Sequence, residues 1–191
     1  MRRVVAAEYV SLDGVMEDPG GAEGFKHGGW TIPFFNDELA TYQHDQLFRS
    51  DALLLGRVTF QEFAAAWPSM EATQGDFAVR MNALPKHVAT TTQRRLEWNG
   101  SRLEGDVPDA VAALKQQPGQ DLLLYGSGTL LRTLTEHGLV DQYRLMVHPV
   151  ILGGGKRLFD GIRDLATLTL ARAVPFSSGV VALEYQPAPR G

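Results

Sequence analysis

Hydrophobic positions fall into two kinds of segment that alternate along most of this chain. Residues 3–10 are apolar and β-branched and predict a first strand. Uninterrupted apolar runs at 51–55 and 121–125 have the pattern of strands buried on both faces, and 86–90 and 102–103 read as a further and a minor strand. Helical segments lie between them. One spans 36–49, with Asn36 as N-cap and Asp37 and Glu38 in its first turn. Others span 57–66, ended by Trp67-Pro68, and 73–81, capped by Thr73. The last two are 108–116, opened by Pro108, and 129–137, stopped by Gly138. From Asp141 onward only strands are expected, at 141–152, 166–174 and 180–185, the last pair joined as a hairpin. Strand–helix alternation followed by strands predicts an α/β fold. Its mixed sheet is mostly parallel, with an antiparallel C-terminal edge and flanking helices. Residues 1–191 read as one domain with a flexible tail at 186–191.

Residues 11–35 are the exception, a long loop rich in Gly, Pro and aromatics, and loops of that length inside a domain tend to be functional. Composition narrows the classes. A net charge of −4 over 191 residues argues against a protein that coats nucleic acid. No apolar run approaches the roughly 18 residues of a membrane span, and the N-terminus lacks a signal-peptide core. The chain has no cysteine, which excludes disulfides, thiolate chemistry and cysteine metal sites and allows a reducing, cytoplasmic setting. Its histidines are scattered without metal-ligand spacing, so no metal is expected.

The strongest chemical signal is a repeated junction. Leu55-Gly56-Arg57-Val58-Thr59 and Tyr125-Gly126-Ser127-Gly128-Thr129 both end a buried strand in glycine and start a helix at once. Glycine lets the backbone approach an anion, and unpaired first-turn amides with the helix dipole favour negative charge there. The alternative is two tight strand-to-helix turns. Neither is the Gly-x-Gly-x-x-Gly fingerprint, because Leu131 stands where the third glycine would be. Gly153-Gly154-Gly155-Lys156 lacks a following helix start and reads as a flexible connection. A third polar site, Thr90-Thr91-Thr92-Gln93-Arg94-Arg95, suits a phosphomonoester or is a solvated turn.

Taken in order, these segments resemble the dihydrofolate reductase-like superfamily. More closely, they resemble the C-terminal reductase domain of bifunctional riboflavin-biosynthesis proteins and its stand-alone bacterial relatives. The carriers are Val10-Ser11-Leu12-Asp13-Gly14, the stretch from Asp51 to Phe60, Leu124 to Leu130, and Gly138-Leu139-Val140-Asp141 leading to His148-Pro149 and the Gly153 run. The resemblance implies a three-layer fold, a homodimer and NADPH as cofactor. It places Gly56, Arg57 and Thr59 at the phosphates, and Gly126, Ser127, Gly128, Thr129 and Leu130 around the pyrophosphate. Thr90, Thr91 and Arg94 would lie near the 2′-phosphate, and Ala7 beside the nicotinamide. Tyr125 departs from the pattern, since riboflavin reductases often carry an acid there. Asp37 or Glu38 could match the pterin-binding acid of dihydrofolate reductases, or could simply complement the helix dipole.

The chemistry expected is hydride transfer to a C=N or C=O of a small heterocyclic or ribosylated pyrimidine- or pterin-like substrate, as in 5-amino-6-(5-phosphoribosylamino)uracil reduction. The cofactor supplies the reactive carbon and the protein supplies orientation and electrostatics. Asp13 is the polar anchor or proton relay, or else one half of an Asp-Gly turn. Trp30, Phe34 and Phe35 wall a flat ring or pack the loop. Two further readings stand beside this one: a dihydrofolate reductase-like activity, and a non-catalytic nucleotide- or flavin-binding module. Without cysteine the chain cannot hold the Cys-x-x-Cys zinc site of a partner deaminase domain.

Overall fold

The computed structural model of the protein describes residues 1–93 and 95–189. Its strands are β1 (Val4–Ser11), β2 (Ser50–Gly56), β3 (Lys86–Ala89), β4 (Gly100–Arg102), β5 (Asp121–Tyr125), β6 (Gln142–His148), β7 (Leu168–Pro175) and β8 (Val181–Pro187). Its helices are α1 (Asp37–Phe48), α2 (Arg57–Ala66), α3 (Glu71–Ala83), α4 (Val107–Gln116) and α5 (Gly128–Glu136). The strands form one sheet in the order β4-β3-β2-β5-β1-β6-β8-β7. Pairing is parallel from β4 through β6 and antiparallel at β8 and β7. This is the mixed sheet that the hydrophobic pattern predicts.

Helices cover both faces, which explains the uninterrupted apolar runs. Val4, Ala6, Leu54, Leu122 and Leu124 pack with Val111 of α4 and with Leu131 and Leu134 of α5. Val5, Leu53, Leu55 and Leu123 point the other way, toward Leu39 and Leu47 of α1, Phe60 of α2 and Met81 of α3. Alternate residues of one strand thus feed two cores, and the domain has three layers. No described helix is long and apolar enough to cross a membrane.

Most element boundaries fall where local signals put them, and the departures have physical causes. Asn36 caps α1, its Oδ1 accepting the Leu39 N–H at 3.0 Å. Thr73 caps nothing: α3 begins at Glu71, the Thr73 hydroxyl donates to the Met70 carbonyl, and Gly75 at φ +56° kinks the helix. β4 is set one to two residues earlier than 102–103. β6 stops at His148, because Pro149 has no N–H to continue the ladder. β8 takes in Gln186 and Pro187, and Ala188 N–H donates to the Thr167 carbonyl, so the expected tail starts later than residue 186. Residues 190 and 191 lie outside the described residues.

The long loop is organised by one acid. Asp18 is buried at a left-handed φ of +48°, and its carboxylate accepts N–H bonds from Glu23 (3.0 Å) and Phe25 (3.1 Å). Burial opposes ionisation, but these and the Ala22 and Gly21 amides outweigh it and hold the carboxyl below its ordinary range. A Cβ on Gly28 would strike that carboxylate at 2.2 Å, so glycine is required there. Asp18→Ala is expected to reduce hydrogen-exchange protection of the Glu23 and Phe25 amides about 10- to 100-fold, the scale of losing a charged acceptor. Amides of β1 should be unchanged. Equal protection in the variant would refute this role.

Candidate functional site

β2 and β5 pair directly, with Leu53 opposite Leu123, so the two glycine junctions are neighbours at the carboxyl edge of the sheet. They are clasped together. The Gly56 N–H donates to Ser127 Oγ at 2.7 Å, and the Ser127 hydroxyl donates to Thr59 Oγ1 at 2.9 Å. Ser127 adopts a left-handed φ of +59° to do this. Its hydroxyl, placed to cap α5, is spent across the junction instead. Neither α2 nor α5 has a side-chain N-cap bond, so the first-turn amides of both stay open to a ligand. A Cβ at Gly126 would lie 3.2 Å from Thr59, and one at Gly56 would lie 3.0 Å from Ser127 Oγ. The clasp needs glycine on both sides.

An open cleft of about 1990 Å³ follows this edge. From β3 through β2 and β5 to β1 it crosses three strand spacings, roughly 14 Å. Gly56, Arg57 and Thr59 line it, as do Gly126, Ser127, Gly128, Thr129 and Leu130. Thr90 and Thr91 line one end and Ala7 the other. Arg94 lies outside the described residues. Every described residue expected at a nucleotide therefore shares one continuous surface. The residues present fit such a ligand: two uncapped helix starts, two backbone approaches kept clear by glycine, hydroxyls between them, and Arg57 at the rim.

The residues expected to meet the substrate are mostly used elsewhere. Asp13 does not reach the cleft. Its carboxylate accepts the Leu152 N–H (3.1 Å), the Gly153 N–H (2.9 Å) and the Ser11 hydroxyl (2.7 Å), which hold it down to about 2. Asp13 thereby pins the glycine run, and with the Met16 N–H to Lys156 carbonyl bond (2.9 Å) that run is docked rather than flexible. Glu38 is tied to the β7–β8 hairpin through the Ser177 N–H and hydroxyl (2.7 and 2.6 Å), and neither it nor exposed Asp37 lines the cleft. Trp30 and Phe34 turn inward and pack edge-on against the buried ring of His148, with Trp30 Nε1 donating to the Glu17 carbonyl. Of the three aromatics, Phe35 alone is on the cleft wall.

Other side chains take their places. Phe63, Trp67 and Phe77 bring an aromatic wall from α2, the following turn and α3. Arg102, at the end of β4 beside Thr90 and Thr91, lines the cleft with a buried Nε that has no partner. Tyr125 is half-buried with its hydroxyl enclosed, and that desolvation pushes its phenol well above the ordinary range. Glu8 is the least expected member. It is 3 % exposed, it lines the cleft between Ala7 and Gly126, and its Oε1 has no hydrogen-bond partner. Burial raises its carboxyl far above the usual range, opposed by the Gly126 backbone N–H. An acid in the middle of an otherwise apolar strand was the signal that could have marked it.

Residues 2–182 match the family model of the RibD C-terminal domain. The chain belongs to this family. The uncharacterized protein YyaP of Bacillus subtilis (strain 168) is 31 % identical over 186 residues, covering 96 % of this chain and 94 % of YyaP. Among solved structures, a putative riboflavin biosynthesis protein from Shewanella sp. PV-4 superposes with a TM-score of 0.77 at 20 % identity, covering 99 % of this chain and 100 % of that one. A diaminohydroxyphosphoribosylaminopyrimidine deaminase/5-amino-6-(5-phosphoribosylamino)uracil reductase from Thermotoga maritima gives a TM-score of 0.67 at 16 % identity. That match covers 98 % of this chain and 57 % of the larger protein. These structural likenesses establish the dihydrofolate reductase-like fold of the RibD C-terminal domain for this chain. In that frame β1, β2, β3 and β5 carry the cleft, and the antiparallel β8 and β7 lie at the far edge.

Proposed function

We propose that this RibD C-terminal domain protein is an NADPH-dependent reductase. Its substrate is a small heterocyclic or ribosylated pyrimidine-like compound with a reducible C=N or C=O bond. The observation that carries this reading is the single cleft that joins two uncapped helix starts, two glycine cradles and an aromatic wall along one sheet edge. When bound, the cofactor supplies the hydride; the chain's own residues hold, orient and shield. Open amides of α2 and α5, with Arg57 and the Thr59–Ser127 hydroxyls, bind the phosphates. Thr90, Thr91 and Arg102 hold a terminal phosphomonoester. Ala7, Phe63, Trp67 and Phe35 enclose flat rings at the other end. A riboflavin-type substrate is favoured over a pterin, because Asp37 and Glu38 stand outside the cleft. The proposed working form is a homodimer.

Fluorescence titration with NADPH and NADH tests the cofactor reading, since Trp67 lines the cleft. NADPH is expected to bind more tightly. Arg102→Ala should cost about 1.5–3 kcal/mol of NADPH affinity, ten-fold or more, and leave NADH nearly unchanged. Equal losses for both nucleotides would remove Arg102 from the phosphomonoester site. Oxidation of NADPH with riboflavin-pathway pyrimidines then tests the reaction. Binding without turnover across them would favour the non-catalytic module.

A further inference from the structure

From the buried carboxyl with one unpartnered oxygen at the point where β5 ends beside β1, we infer that Glu8 is the stored proton of the reduction. It gives that proton to the substrate as the hydride arrives. This rests on the reductase reading and adds the acid that reading lacks.

The geometry leaves little else for Glu8 to do. β1 is flanked by β5 only as far as Ala7, which pairs with Tyr125, while β6 continues beside Glu8 at Leu145. Glu8 is the first β1 residue past the end of β5, at the lip of the cleft, and Gly126 turns away over it. A charged carboxylate so enclosed would need partners for both oxygens, yet Oε1 has none. No charged side chain governs it. Its state is set by burial against the Gly126 N–H, and its titratable neighbour is Tyr125 of β5, itself held neutral by burial. The other charged groups along the cleft come from loops (Glu17, Glu23, Asp106, Lys156, Arg157, Asp160), from α2 (Arg57, Glu62), from α3 (Asp76), from β4 (Arg102) and from α5 (Arg132). Asp13, Asp37 and Glu38 are committed or remote. Among the described acids, Glu8 is the one on the cleft that is buried and leaves a carboxyl oxygen without a partner, and burial favours its protonated form.

The step balances. The Glu8 O–H bond breaks and its proton goes to the nitrogen or oxygen of the C=N or C=O bond. The adjacent carbon takes the hydride with both electrons. Glu8 is left as a carboxylate beside an oxidised, cationic nicotinamide, an ion pair that low dielectric strengthens. Water returns the proton after release.

That charge coupling gives a test that needs no substrate. By linkage, a cationic ring should drive Glu8 to ionise and a neutral ring should not, so NADP⁺ binding should release about one more proton than NADPH binding near pH 7. Calorimetry in buffers of different ionisation enthalpy reads the difference, and the shared 2′-phosphate cancels. Glu8→Gln keeps an acceptor for the Gly126 N–H but has no proton to lose, so its difference should vanish while both nucleotides still bind. If wild type and variant release alike, the inference is overturned and the cofactor reading stands. If neither nucleotide binds wild type, the cofactor reading itself falls and takes the inference with it. Infrared difference spectra of wild type give a check free of any variant. A protonated-carboxyl carbonyl band should be lost on adding NADP⁺ and kept with NADPH; its absence before addition would also overturn the inference.

Discussion

Gly126→Val is expected to weaken NADPH binding by more than 100-fold, about 3 kcal/mol, while leaving the sheet folded. Two effects combine. Gly126 sits at φ +56°, where an L side chain costs about 1–2 kcal/mol and a β-branched one more. Its Cβ would lie 3.2 Å from both Cγ2 and Oγ1 of Thr59, so Thr59 must yield, and with it the Ser127–Gly56 clasp. The backbone that should lie against an anion is then pushed out of reach. Gly105 separates strain from obstruction. It also lines the cleft and sits at φ +75°, but a Cβ there meets nothing within 4 Å. Gly105→Ala should lose stability and keep affinity. Titration of both variants, with thermal unfolding alongside, decides it. Intact NADPH affinity in Gly126→Val would mean that the β5–α5 junction is a turn and not a cradle.

That contrast shows which parts of the site can be read from a sequence. Glycine at a strand-to-helix junction is a local event, and the junctions at Gly56 and Gly126 were legible together with their hydroxyls. So was the sheet, because strands buried on both faces announce themselves as apolar runs such as Leu122-Leu123-Leu124. The substrate side was not legible, since it depends on which acids and aromatics the tertiary fold consumes. Asp13 meets two amides some 140 residues away in sequence. Trp30 and Phe34 find the ring of His148, which β6 delivers from the other half of the chain. Glu8 was passed over for the converse reason. Its segment reads simply as an apolar, β-branched strand, and a single acid within such a run passes as pattern rather than as chemistry.

Lys86→Met is expected to stabilise the protein at pH 7 by on the order of 2 kcal/mol, with an advantage that disappears as the pH rises toward 10.5. Lys86 is fully buried at the start of β3, far from the cleft edge. Its Nζ donates to the Asn82 carbonyl at 2.9 Å and lies 3.8 Å above the Trp98 ring, and no described carboxylate pairs with it. Burial lowers its ammonium from 10.5 to about 8. The sign follows from proton counts. Below pH 8 both folded and unfolded states keep the proton, so the cost of burying charge is fully present. Between about 8 and 10.5 the unfolded chain holds a proton that the folded protein has lost, so wild type gains about 1.4 kcal/mol per pH unit relative to the variant. The Trp98 face offsets part of the penalty at neutral pH, which is why the gain there is set below the full span. Met matches the stem in shape, and the Asn82 carbonyl keeps a donor in Asn99 Nδ2 at 3.1 Å. Urea unfolding of both proteins from pH 7 to 10 cancels every other titration in the difference. A difference that stays flat across that range would mean that Lys86 keeps its proton throughout, with Trp98 and the Asn82 carbonyl together replacing the water it lost.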